Sequence, residues 1–231
     1  MTHILNSTGG SKDVDDLKYE LEPNDRDKEW LKKEHPLLTL DWLDLIPEPP
    51  KNSSQSTRSD LEEIEKETRD VSKEEFDLIM LVDKEPSDLF QPYLKKHNLK
   101  YPKKLIDKVL DNVYPVWLKL KYHYKRPRPF QLAPHLGYVI SVIQTKTHQT
   151  PSYPSGHAIE GSIIAEVLST LYPEHESTFK DFAKSVGRAR LLQGVHYQTD
   201  NEASYIVAEK CWENIKSNME EFNDKKDRSR S

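Results

Sequence analysis

Apolar residues recur at three- and four-residue spacing along much of this chain. That period predicts helices near 60–82, 103–125, 156–171, 176–192 and 200–221, with shorter ones near 27–33 and 86–97. Alternating valine-rich runs are absent and glycine is scarce, at seven residues, which argues against a sheet. The expected fold is therefore all-α, a single-domain helical bundle over 29–221. Ser72-Lys73-Glu74-Glu75 reads as a capping box able to start a separate helix, with Phe76, Ile79 and Met80 on its apolar face. The stretch from Ala158 to Leu168 is apolar enough for a buried helix. Proline-rich 47–50 and the Asn/Ser/Gln run at 52–59 read as a loop, and 126–155 as a second, long one. Residues 1–28 lack apolar periodicity and 222–231 alternate in charge, so both are expected to be flexible tails.

Three short segments carry the candidate chemistry. Pro-Ser-Gly-His occupies 154–157, Arg190 is followed by His196 and Asp200, and Lys121 precedes Arg128-Pro129 by seven positions. Ser155 or Gly156 falls where the buried helix begins. The first amides of a helix have no internal partner and carry the positive end of its dipole, so an anion suits that place. Glycine lets backbone approach closely, and the Ser155 hydroxyl adds a donor. Lys121, Arg128 and Arg190 supply positive charge, and guanidinium groups grip tetrahedral oxyanions in bidentate fashion. Asp200 lies one turn on from His196 if that stretch is helical. It can accept the Nδ1 proton and leave Nε2 unprotonated as a nucleophile. His157 would then act as general acid and base. Lys119 with Arg126-Pro127 fits the first spacing as well as Lys121 with Arg128-Pro129 does, and both arginines precede proline, which favours extended backbone. The other histidines, His3, His35, His97, His123, His135, His148 and His175, show no ligand spacing and are read as structural or exposed.

These segments, KYHYKRPRPF at 121–130, PSYPSGHA at 151–158 and RLLQGVHYQTD at 190–200, resemble the type 2 phosphatidic acid phosphatase (PAP2) superfamily. The soluble bacterial class A non-specific acid phosphatases are the group they look most like, over roughly 43–215. The resemblance favours the Lys121/Arg128 register, because the family pattern continues with phenylalanine, here Phe130. It implies a helical fold, a phosphohistidine intermediate on His196, no metal, and a small phosphomonoester substrate. It also suggests self-association into a homo-oligomer. Vanadium-dependent haloperoxidases resemble the same motifs, so a vanadate-dependent oxidation is the enzymatic alternative; a phosphate-binding protein without catalysis is the other. Ala189 departs from the family, standing where a serine usually precedes the arginine, and a lost hydroxyl contact is expected there. Asn201-Glu202 after Asp200 is a second departure.

Composition narrows the picture a little further. With 231 residues the chain can bury a sizeable core, although 35% hydrophobic against 32% charged is a polar balance. No run of about 18 apolar residues occurs, which excludes a multi-span architecture and makes membrane insertion unexpected. No basic start with an apolar run opens the sequence, and Cys211 stands alone, so a cytoplasmic protein is expected. A net charge of −5 disfavours nucleic acid as a partner. The chain lacks a Cys-x5-Arg loop, a His-Asp dipeptide and a Gly-x4-Gly-Lys loop, the marks of three other phosphoryl chemistries.

Overall fold

The computed structural model describes residues 13–145 and 147–219, and among these only helices and connecting turns occur. The α-helices are α1 (Asp25–Lys32), α2 (Gln55–Glu67), α3 (Lys73–Lys84), α4 (Gln91–Lys96), α5 (Lys103–Tyr124), α6 (Pro129–Leu136), α7 (Gly156–Leu171), α8 (Glu176–Leu192) and α9 (Gln198–Asn218). None is long and apolar enough to cross a membrane.

Helix α7 is the axle of the bundle. Ile159, Ile163, Ile164, Val167 and Leu168 are completely buried, because α7 packs on α8 and α9 and also meets α5. A helix that is apolar nearly all round must be wrapped by others. Two glycines let the neighbours come close. A Cβ on Gly161 would lie 2.9 Å from Val186 Cγ2, at the α7–α8 contact, and one on Gly187 would lie 3.1 Å from Asn201 Cγ, between α8 and α9. Asn201 Nδ2 donates to Gly187 O at 2.9 Å across that gap, so the polar residue after Asp200 has a structural use.

The single helix expected near 60–82 is two helices. Thr68 ends α2, and the capping box at Ser72 starts α3, with Glu75 N donating to Ser72 Oγ at 3.2 Å and Ser72 N to Glu75 Oε2 at 2.9 Å. Part of the expected loop at 52–59 is already α2, since Ser54 caps its first turn through Thr57 N. The long loop expected at 126–155 contains α6. Two prolines disguise it, yet Pro129 stands at the first helical position, where its missing N–H costs nothing, and Gly137 closes the helix at φ +85°. Leu132 and Ala133 then pack on Leu61 and Ile64 of α2.

Residues 13–28, assigned above to a flexible tail, are packed against the bundle. Tyr19 is 3% exposed, its N–H donates to Lys125 O at 2.8 Å, and Asp27 accepts from Tyr122 Oη. Their sequence hides this because the anchors are isolated residues rather than an apolar period. Residues 1–12 and the C-terminal tail at 222–231 lie outside the described residues.

Candidate active site

The N-terminus of α7, the C-terminal end of α5, the last turn of α8 and the first turn of α9 converge. Lys121 ends α5, and the left-handed Lys125 and the extended Arg128 (φ −69°, ψ 155°) then turn the chain into α6. The X-Pro steps hold this connection open. Arg190 lies in the last turn of α8, and His196 and Asp200 bracket the start of α9.

His196 and Asp200 form a buried pair, His196 Nδ1 lying 2.9 Å from Asp200 Oδ2. On its other side, Arg128 Nη1 is 2.8 Å from His196 Nε2. A guanidinium only donates, so Nε2 is the accepting nitrogen and the ring proton sits on Nδ1, facing the carboxylate. Burial and then Arg128 hold the His196 pKa well below that of a free imidazole. Burial pushes Asp200 toward its acid form, but Arg126, His196 and Ser152 outweigh it and keep the carboxyl ionised. Ser152 Oγ donates to Asp200 Oδ2 at 2.5 Å and Tyr197 N at 3.1 Å, so the carboxylate is fully engaged.

The cations are buried with it. Lys121 is 3% exposed, Arg128 and Arg190 each 1%. Lys121 Nζ donates to Pro151 O at 2.7 Å and to Ser152 O at 3.2 Å. Arg128 donates to Thr150 O and Val195 O, both at 2.9 Å. Arg190 Nη1 meets Asp83 Oδ1 at 2.6 Å and Nη2 meets Thr147 Oγ1 at 3.0 Å, while its Nε is buried with no partner among the described residues. Burial followed by mutual repulsion depresses Lys121 well below its ordinary value and Arg128 to about 10. Arg190 is paired with Asp83, but Lys121 and Arg128 form no ion pair among the described residues, and buried cations without a paired carboxylate are the electrostatic signature of an anion site.

His157, at the start of α7, is partly buried, with Nε2 3.5 Å from Asp83 O. Burial and then Arg190 lower its pKa well below that of a free imidazole. Lys121 repels the protonated form of His157 and of His196 alike. Ser155 is completely buried and caps α7, its Oγ accepting from Ala158 N at 3.4 Å while its own N–H donates to Ser204 Oγ at 2.8 Å. Its hydroxyl thus serves the helix start as well as lying beside the expected anion position. Gly156 follows as the first helical residue, next to the Trp117 ring and Lys121 Cε.

Of the two registers, Lys121 and Arg128 are the pair brought to the His196 ring. Lys119 points away to His35 Nε2 at 3.0 Å, and Arg126 reaches the rear of Asp200. Ala189 is buried among Ile79, Val82, Val186 and Leu192, so the residue expected to lose a polar contact makes an apolar one.

Sequence reasoning missed three participants. Asp83, at the end of α3, accepts from Arg190, Thr145 and Thr147, which outweigh burial and hold its pKa at about 2. His148, read as structural or exposed, sits 3.4 Å from Thr145 Oγ1, and burial, then Arg128 and Arg190, lower its pKa to about 4. Arg126, read only as an alternative register, is a buried partner of Asp200. A charge far away in sequence gives no local signal of such service.

The comparisons fit this centre. Residues 109–212 match the PAP2 superfamily. A non-specific acid phosphatase of Providencia stuartii is 34% identical over 104 residues, 43% of this chain and 40% of that protein. One from Salmonella typhimurium is 33% identical over 87 residues, 38% of this chain and 34% of its own. The chain therefore spans between about a third and two fifths of the length of these curated relatives. In fold it is similar to a bacterial vanadium-dependent iodoperoxidase, with TM-score 0.60 at 17% identity over 78% of this chain and 54% of the other. It is also similar to a transmembrane PAP2-type phosphatidylglycerolphosphate phosphatase of Bacillus subtilis, with TM-score 0.50 at 18% identity over 71% and 87%. Lys121, Arg128, Ser155, Gly156, His157, Arg190, His196 and Asp200 all fall within the matched segment, which is similar to the PAP2 superfamily.

Proposed function

We propose that the chain hydrolyses small phosphomonoesters without a metal, through a phosphohistidine on His196. The observation that carries this reading is the buried His196–Asp200 pair, whose accepting Nε2 faces Arg128. The matched acid phosphatases support the reaction class.

In the first half-reaction His196 Nε2 attacks phosphorus, the P–N bond forms as the ester P–O bond breaks, and His157 gives its proton to the leaving alkoxide. Asp200 stabilises the positive imidazole that results. In the second, His157 takes a proton from water, the water oxygen attacks phosphorus, and the P–N bond breaks. Lys121, Arg128, Arg190 and the α7 amides at Gly156 and His157 bind the equatorial oxygens. Each charged contact stabilises the anion by about 1.5–3 kcal/mol, and most where charge spreads in the transition state. Arg128 must turn from Nε2 toward the phosphoryl group as substrate enters, which exposes the nucleophile only when an anion is present.

Hydrolysis of a chromogenic phosphomonoester by wild type and His196→Ala, with a chelator present and vanadate titrated in, tests this. Chelator-resistant turnover that vanadate blocks and the substitution abolishes is expected. Halide oxidation by peroxide after vanadate loading, with no hydrolysis, would overturn it.

A further inference from the structure

Arg126 stands behind the reacting centre, 2% exposed, and its guanidinium joins several groups that the proposed chemistry does not itself use. Nη1 donates to Asp200 Oδ1 at 2.6 Å and to Thr199 Oγ1 at 2.8 Å, and Nη2 donates to Thr57 Oγ1 at 3.3 Å. Its flat face covers the Tyr197 ring, 3.8 Å from the centroid. Asp60 completes the arrangement: its Oδ2 accepts from Thr199 Oγ1 at 2.6 Å and lies 3.9 Å from Arg126 Nη2.

We propose that Arg126 and Asp60 are positioning residues that set the basicity of His196 through Asp200, forming a buried relay Asp60–Arg126–Asp200–His196. This deepens the phosphohistidine reading and rests on His196 being the nucleophile. The geometry assigns one oxygen of Asp200 to each neighbour: Oδ1 takes the guanidinium and Oδ2 the imidazole N–H. A carboxylate shared with a buried cation pulls less strongly on the imidazole proton, so Arg126 lowers the His196 pKa. Asp60 holds the guanidinium in place through Thr199 Oγ1, which accepts from Arg126 Nη1 and donates to Asp60 Oδ2. Burial, opposed by Thr199 and Arg126 and reinforced by Asp200, raises the Asp60 pKa to about 6, so Asp60 acts by position rather than by charge in the acid range where His196 titrates. The charged groups facing the imidazole directly are Asp200, Arg128 and Lys121. A planar fork spanning two elements with its face on an aromatic ring is a task lysine cannot perform.

The test is an NMR titration of the His196 ring in wild type, Arg126→Gln, Arg126→Lys and Asp60→Asn, with turnover measured alongside. The midpoint is expected to rise by at least one pH unit in Arg126→Gln, and to stay within about half a unit of wild type in Arg126→Lys and in Asp60→Asn. Turnover in Arg126→Lys is expected to drop at least tenfold with little change in KM, since charge survives and alignment does not. Should Arg126→Gln fail to fold, the other two variants decide. A wild-type midpoint in Arg126→Gln, a midpoint moved by a unit or more in either of the others, or wild-type kcat in Arg126→Lys overturns the relay. Because the midpoint is read without substrate, a wild type that hydrolyses no phosphomonoester would sink the proposed function and leave this test standing.

Discussion

Asp83 Oδ1 lies 2.6 Å from Arg190 Nη1, so a carboxylate from the end of α3 holds a guanidinium of the proposed anion site. Arg190 has its Nε still unpartnered and is 1% exposed, so its charge is balanced within the protein by Asp83 alone among the ion pairs described. Breaking such a pair from one side costs about 3–5 kcal/mol, because the other charge is left buried. Asp83→Ala should therefore lower the melting temperature, and added phosphate should restore more of it than the same phosphate adds to wild type. Thermal melts with and without phosphate check this. An equal or smaller phosphate effect in the variant would show that Asp83 does not neutralise the anion-binding arginine.

Asp200→Asn should leave His196 in place but remove the negative charge and replace one accepting oxygen by a donating amide, so the tautomer is no longer fixed. Loss of kcat on the order of 10⁴-fold is the precedent for a carboxylate in this role. Arg126 loses its counter-charge in the same variant, so a fall in stability should accompany the kinetic loss. Steady-state kinetics on folded protein separate the two effects; a variant with near-normal kcat would remove Asp200 from the mechanism.

The pH dependence has a definite sign. Burial and Arg128 depress the His196 pKa, so the nucleophilic, neutral ring persists to acidic pH, and the acid limb of kcat/KM should lie below about pH 6.5, the free-imidazole value. His157 is depressed too, and must be protonated to release the alcohol, so activity should fall as pH rises toward neutrality. Stability should run the opposite way. Folded-state pKa values lowered from 6.5 mean that the unfolded chain binds more protons in the window beneath it, and stability declines as pH falls through that window. A pH–rate profile and melts across pH 4–8 test both signs.

Ala189→Ser would place a hydroxyl among Ile79, Val82, Val186 and Leu192. Burying it there costs about 1–3 kcal/mol unless it bonds back to a carbonyl of its own helix. The variant is expected to be no faster than wild type. A gain in kcat/KM would mean that the position does face substrate.

Gly161→Ala tests the packing that holds α7 in place. Its Cβ would meet Val186 atoms at 2.9, 3.0 and 3.2 Å, and these belong to a branched side chain with little freedom to move. A loss of about 1–3 kcal/mol is expected in chemical denaturation. Unchanged stability would mean that α7 and α8 shift apart at no cost.

The helices α5, α7, α8 and α9 were legible because their apolar period is long and their ends carry recognisable signals, and the proposed reacting groups were legible because they cluster in short spaced motifs. Helix α6 was hidden by Pro129 and Pro134, although the proline at its start and Gly137 at its end were both visible. Tyr19 and Asp27 tie residues 13–28 to α5 by contacts made across about a hundred positions, which no local pattern reveals. The same holds for Asp60, Asp83 and Arg126, whose partners lie on other elements. No local pattern marks these roles, and only the fold carries the three residues to their partners.

The most direct measurement is trapping of the covalent intermediate under base. Rapid-quench reaction with a phosphorus-labelled phosphomonoester should leave label on the protein that survives base and is lost in acid, as a phosphoramidate bond requires. Peptide mapping should place it on His196, and it should be absent from His196→Ala. Turnover with no label on His196, or label that persists in His196→Ala, would contradict the account.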